Sequence, residues 1–278
     1  MSARDVFNRY LINCGYEIVK SSRYGDSQIE LDNAVIAARV DPNRKHLWLV
    51  APPKSGSTWL TAMVSQLLQW PIVALTNGHG RREQEVDLRP ILRYPSGNIL
   101  SPQQHCSASQ QTTDFIKQFH VTPVVQTRRL LDSVVSFRDH LLNETLEIPM
   151  AHLTRRFFDM GEEQQFDLIV DLVVPWYLNF YASWFVNEDL APGQVLFVGY
   201  EEMLEQPEEI LKKVLRHIGE PKSDAEIHRV VAGTDGSKTR KNKGVAGRGE
   251  QMLNARHKAK IKSLLGYYDH VDFSRIGC

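Results

Sequence analysis

The chain has 278 residues with 33 basic and 33 acidic side chains, 42% hydrophobic residues and three cysteines. That length supports one α/β domain with a sizeable core. The balanced charge argues against nucleic acid as a bulk partner. Cys14, Cys106 and Cys278, odd in number and without a C-x-x-C pair, exclude a disulfide framework and a cysteine zinc site and imply a reduced, cytoplasmic protein.

In chain order, residues 1–43 read as an N-terminal extension of short helix and hairpin elements packed on a single domain that takes in residues 1–278. Its first seven residues lack the apolar core of a secretory signal. Residues 47–60 come next, reading LWLVAPPKSGSTWL. The apolar run Leu47 to Ala51 predicts a buried strand, Pro52 and Pro53 break it, and Trp59 opens an amphipathic helix. A strand turning tightly into a helix leaves backbone N–H groups unpaired at the positive end of the helix dipole. With Lys54, Ser55, Ser57 and Thr58 beside them, and Gly56 offering no side chain to block an anion, this is a phosphate cradle. It is not a Walker A loop, because Lys54 precedes the glycine instead of following it.

Residues 76–113 are polar, with a short apolar piece at Ile99 and Leu100, and read as a lid or acceptor gate. Residues 124–128 predict a second parallel strand with Arg128 at its carboxyl end. A helix then runs over 133–143, capped by Asp132 or Ser133. Ser136, eight residues after Arg128, falls about one turn into that helix, so arginine and serine can converge on one anion. Residues 172–186, with Pro175, Asn179 and Ser183 among their aromatics, are too short to span a bilayer and read as a buried helix whose aromatics could floor an acceptor pocket. Residues 195–199 predict a third strand, followed by Tyr200 and an amphipathic helix over 208–218. Beyond it, Lys238, Arg240, Lys241, Lys243, Arg248, Arg256, Lys258, Lys260 and Lys262 face one acid, Glu250. Such a local basic patch suits a polyanionic small molecule.

Strands alternating with helices imply a P-loop-like three-layer α/β fold, a central parallel sheet flanked by helices on both faces, with ligands bound outside the carboxyl ends of the strands. Lys54, Arg128 and Tyr200 all fall there.

The ordered segments Lys-Ser-Gly-Ser-Thr-Trp, Arg-x7-Ser with Asp132 between, Tyr-Glu-x-Met at 200–203 and Lys-Gly-x-x-Gly at 243–247 resemble the sulfotransferases that use 3′-phosphoadenosine 5′-phosphosulfate (PAPS). The resemblance spans about residues 47–247. It implies a 5′-phosphosulfate loop at Lys54, Ser55, Gly56, Ser57 and Thr58. It implies a 3′-phosphate site at Arg128, Ser136, Lys243 and Gly244, and Trp59 and Tyr200 beside adenine. It departs from the family pattern at Arg129-Leu130, where Asn-Pro is usual, and at Asn242, where an arginine is usual. Arg240, Lys241 or Arg248 are the candidates to replace that arginine. The family places its catalytic histidine between the first two motifs; His105, 23 residues before Arg128, fits, and His79 is the rival. The usual Lys-x-His-x-Pro is here Gln103-Gln104-His105-Cys106-Ser107.

The resemblance thus implies an enzyme that moves the sulfuryl group of PAPS to a hydroxyl of a small-molecule acceptor and releases 3′-phosphoadenosine 5′-phosphate (PAP), with His105 as base, Lys54 on the leaving phosphate and no metal. The alternatives are a P-loop-type nucleotide or small-molecule kinase and a non-catalytic nucleotide-binding protein. The acceptor and the oligomeric state stay open.

Overall fold

The structure is a computed structural model that describes residues 39–75, 86, 89–234 and 247–278. The chain divides after Arg39, and the compact unit Val40–Cys278 is described by itself. The expected extension up to residue 38, His79, Arg240, Lys241, Lys243 and Gly244 lie outside the described residues.

Strand β1 (His46–Val50) is buried along its whole length, as its uninterrupted apolar run requires. It leads into helix α1 (Ser57–Leu68), then a short helix α2 (Arg89–Leu92), strand β2 (Ile99–Gln104), helix α3 (Gln110–Gln118) and strand β3 (Val121–Thr127). Next come α4 (Leu130–Asn143), α5 (Glu162–Leu172), α6 (Val174–Phe185), β4 (Leu196–Gly199) and α7 (Tyr200–Glu205). The chain closes with α8 (Pro207–His217), α9 (Asp224–Gly233), α10 (Arg248–Met252) and α11 (Ala255–Leu265). All strand pairs are parallel, in the order β2-β1-β3-β4.

Alternation along β1 sends its side chains to two faces. Leu47 and Leu49 join Leu60, Met63 and Val64 of α1 and Ile210, Leu211, Val214 and Leu215 of α8 in one core layer. On the opposite face, Trp48 meets Phe115 of α3 edge-on at 5.5 Å and Trp184 of α6 at 6.1 Å. Each such fully buried side chain contributes about 1.5–3 kcal/mol. Helices therefore cover both faces, as the sequence pattern predicts.

The strand order fixes where a ligand can sit. The chain leaves β1 for the edge strand β2, then crosses back to β3 on the other side of β1. That reversal opens a crevice at the carboxyl ends of β1 and β3. Lys54 and Arg128 emerge there.

Among the described residues one helical run, Glu162–Phe185, is long and apolar enough to cross a membrane. It is two helices meeting at Val173, and Tyr177, Phe180, Tyr181 and Trp184 face the core. Burial inside the fold accounts for its apolarity.

Candidate functional site

The segment after β1 is a tight turn held from several directions. Ala51 N–H donates to the Gln104 carbonyl at 2.9 Å, and Pro52 and Pro53, which lack an N–H, end the ladder. Lys54 and Gly56 both have left-handed backbones, with φ of 62° and 85°. Ser55 is buried and its hydroxyl donates to the Pro52 carbonyl at 2.7 Å. Underneath, the Tyr177 hydroxyl donates to the Pro53 carbonyl and an Arg128 Nη1–H donates to the Lys54 carbonyl.

Gly56 is the N-cap of α1 and has no side chain to cap it. The first amides of the helix, those of Ser57 and Thr58, have no acceptor within it. Both side chains are half-buried at the same end, as is Trp59. The physical reason for the glycine differs from the sequence reading. A Cβ at Gly56 would lie 2.3 Å from Cδ2 and 2.5 Å from Cε2 of Tyr200, so the aromatic ring behind the loop, together with the positive φ, demands glycine.

Arg128 directly follows β3 and is only 7% exposed. Its guanidinium carbon stands 4.5 Å from the Tyr200 ring centroid, a cation–π contact. Its Nε is buried without an acceptor among the described residues. Tyr200, 5% exposed, is a core residue; burial raises the pKa of its hydroxyl while the Arg128 charge pulls the other way.

Helix α4 begins at Leu130, three residues earlier than its sequence pattern suggests. Its N-cap, Arg129, makes no side-chain cap. Ser136 is therefore in the second turn, buried at 3% exposure. Neither Asp132 nor Ser133 caps this helix. Ser133 Oγ–H donates back to the Arg129 carbonyl at 3.1 Å. The Asp132 carboxylate accepts from Gly247 N–H at 2.8 Å and Gly249 N–H at 2.7 Å, and so caps α10 from across the fold. The approach is close, because a Cβ on Gly249 would fall 2.3 Å from the Leu131 carbonyl carbon. Arg248 is also tied to α4: its Nη1–H donates to Asp139 Oδ2 at 2.7 Å. Of the three basic candidates to stand in for the arginine missing at Asn242, Arg248 is thus already committed to a carboxylate.

His105 follows β2 directly and is half-buried. Its Nδ1 is hydrogen-bonded to the Ala51 carbonyl. A carbonyl can only accept, so Nδ1 carries a proton in this contact. The neighbouring backbone is pinned to α6: Trp184 Nε1–H donates to the Cys106 carbonyl at 3.0 Å, and Ala108 N–H donates to Ser183 Oγ at 2.9 Å.

Lys54 Nζ donates to Glu144 Oε1 at 3.0 Å, with the two side chains 12% and 30% exposed. His140 Nδ1 lies 3.2 Å from the other carboxylate oxygen. Burial raises the Glu144 pKa, but hydrogen bonds and charge from Lys54 and His140 outweigh it and leave it below the ordinary value. Sequence reasoning did not single out Glu144, Asp139 or the supporting role of Tyr177. Each acts through a partner distant in sequence, which no local motif reveals. Among the described residues no group of three or more His, Cys, Asp or Glu side chains is placed to hold a metal ion.

An uncapped helix N-terminus with a lysine, an arginine and two hydroxyls, at the switch point of a parallel sheet, is an arrangement able to bind an anion such as phosphate. Residues 44–263 match the sulfotransferase domain family, and the chain belongs to that family. No curated protein matches the sequence. In fold it is similar to the mouse sulfotransferase SULT7A1 complexed with PAP, at 17% identity and a TM-score of 0.63, covering 87% of this chain and 90% of that one. It is also similar to retinol dehydratase in complex with androsterone and the inactive cofactor PAP, at 13% identity and a TM-score of 0.56, covering 88% and 87%. The same enzyme with retinol and PAP matches at 14% identity and a TM-score of 0.54, again covering 88% and 87%.

Proposed function

We propose that this sulfotransferase-family chain uses PAPS as donor and transfers its sulfuryl group to a hydroxyl of a small-molecule acceptor. The observation that carries the reading is the pairing of two features at one sheet edge. The Lys54 turn presents an uncapped helix N-terminus, and His105, directly after β2, is held through Nδ1 by the carbonyl of Ala51, three residues before Lys54. The buried, unpartnered Nε of Arg128 is a further fit to a second phosphate.

When bound, PAPS supplies a sulfuryl group whose leaving group is the nucleotide 5′-phosphate. The residues divide the remaining work. His105 Nε2 takes the acceptor proton as the oxygen attacks. Lys54, Ser57, Thr58 and the amides that follow Gly56 offset charge developing on the leaving phosphate, whereas Ser55, expected in the cradle, is buried and spends its hydroxyl on the Pro52 carbonyl, bracing the turn. Arg128, Ser136, Lys243 and Gly244 hold the 3′-phosphate and select PAPS over donors that lack it. Trp59 and Tyr200 are assigned beside adenine, although Tyr200 has little surface left for contact. No step requires a metal, because lysine and helix dipole supply the positive charge. The chain is assigned to the cytoplasm on its cysteine usage.

The test is turnover of PAPS against a panel of phenol, alcohol, sugar and lipid hydroxyls, following PAP and the sulfated product without added metal. Two of the fold neighbours hold androsterone or retinol, so alcohols stand first in that panel. Phosphoryl transfer from MgATP without PAPS turnover would overturn the reading in favour of a kinase. PAP binding without turnover of any acceptor would favour a non-catalytic binding protein.

A further inference from the structure

The lysine that the proposed chemistry needs on the leaving phosphate is engaged elsewhere. Lys54 Nζ stands 3.0 Å from Glu144 Oε1, and its side chain is largely shielded from solvent. Shielding strengthens the pair relative to one on the open surface. Glu144 is held in place in turn. Its backbone is the C-cap of α4, with its N–H donating to the His140 carbonyl at 2.8 Å, and its second oxygen lies 3.2 Å from His140 Nδ1. A carboxylate fixed at both backbone and side chain is a built counter-ion.

We propose that Glu144 is a positioning residue that sets nucleotide affinity by competing with the incoming anion for the Lys54 ammonium. The inference rests on the assignment of Lys54 to the phosphosulfate. The ammonium has three N–H donors, but a shift toward a phosphate oxygen draws its charge away from Glu144, so binding weakens one ion pair as it forms another. His140 makes the exchange feasible, because it remains beside the carboxylate after Lys54 leaves. Glu144 therefore weakens binding of the donor and product nucleotides, and speeds return of the lysine to its resting place once PAP departs.

The consequence is directional. Removing the negative charge while keeping the shape, Glu144→Gln, releases Lys54 and tightens PAP binding. A partly shielded pair of this kind is worth roughly fivefold in Kd. The effect requires the lysine, so it disappears in a Lys54→Met background. A carboxylate that merely stabilises the end of α4 gives neither the tightening nor the dependence on Lys54.

The experiment is a double-mutant cycle by calorimetry, with PAP as titrant, on wild type, Glu144→Gln, Lys54→Met and the double variant. The expected result is a Kd roughly fivefold lower for Glu144→Gln than for wild type, and equal Kd values for Lys54→Met and the double variant. Glu144→Asp, which keeps the charge but shortens the reach, falls between wild type and Glu144→Gln. Unchanged or weaker binding by Glu144→Gln, or equal tightening in both backgrounds, overturns the inference. Failure of wild type to bind PAP would instead overturn the proposed donor, so the two failures are distinguishable.

Discussion

Gly56→Ala is the sharpest probe of how the loop is built. At φ 85° an L side chain adopts a left-handed conformation, at a cost of about 1–2 kcal/mol. The added methyl would sit 2.3 and 2.5 Å from two Tyr200 ring carbons. That ring is buried under Arg128, so relieving the overlap costs a further ~1–3 kcal/mol. Alanine restricts the unfolded chain and returns about 0.4–1 kcal/mol. The net expectation is a loss of about 1–4.5 kcal/mol, read by urea denaturation with an unchanged m-value. Because the loop must shift to accommodate the methyl, PAP affinity should fall as well. In a Tyr200→Ala background the ring overlap is gone and the backbone cost alone remains, so the two substitutions should couple by at least ~1 kcal/mol. A loss below about 1 kcal/mol in the wild-type background, or strict additivity with Tyr200→Ala, would refute this account of the glycine.

Four further outcomes are expected. Lys54→Ala should lower kcat by roughly 100-fold or more while nucleotide affinity falls less; a change confined to the nucleotide KM would make Lys54 a binding residue only. His105→Ala should lose about 100-fold in kcat on an alcohol acceptor with nucleotide binding nearly unchanged, and His79→Ala far less; near-normal turnover by the former would make His105 a bystander. PAP should bind at least ~10-fold tighter than AMP, and calorimetry giving equal affinities would remove the 3′-phosphate assignment from Arg128 and Ser136. Finally, burial, reinforced by the Arg44 charge, lowers His46 from 6.5 to about 3, so the folded state holds it neutral while the unfolded chain takes up a proton below 6.5. Stability from this group is complete above that pH and declines toward pH 3, by about 2 kcal/mol at pH 5. Urea titrations at the two ends of the range should show a shallower pH slope for His46→Phe, and an unchanged slope would refute the assignment.

How much of this was legible in sequence depended on the range of the interactions. β1 and β3 stand out because central parallel strands are apolar on both faces, and the turn at residues 52–58 because prolines and glycine punctuate locally. β2 showed only Ile99 and Leu100, since an edge strand tolerates Pro102 and polar residues. The start of α4 was misplaced because Arg129 is not a capping residue type, while Asp132 and Ser133, which are, spend their side chains differently. Asp132 binds amides more than a hundred positions away, and Glu144 meets Lys54 across 90 positions. Local pattern carries no information about such contacts.

The two attachments of Lys54 give α4 the role of a measuring rod. The lysine's carbonyl is gripped by Arg128, just before the helix, and its ammonium by Glu144, just after it. Fourteen helical residues separate the grips, a span of about 21 Å. The number of residues in that helix is therefore a dimension of the site. One extra residue between Arg138 and Glu144 would advance the carboxylate about 1.5 Å and swing it about 100° around the axis, away from the ammonium. The arginine and the Asp132 cap, upstream of the insertion, would stay where they are. In related chains, the spacing from strand-end arginine to helix-end carboxylate thus reports whether the lysine has a resting place at all.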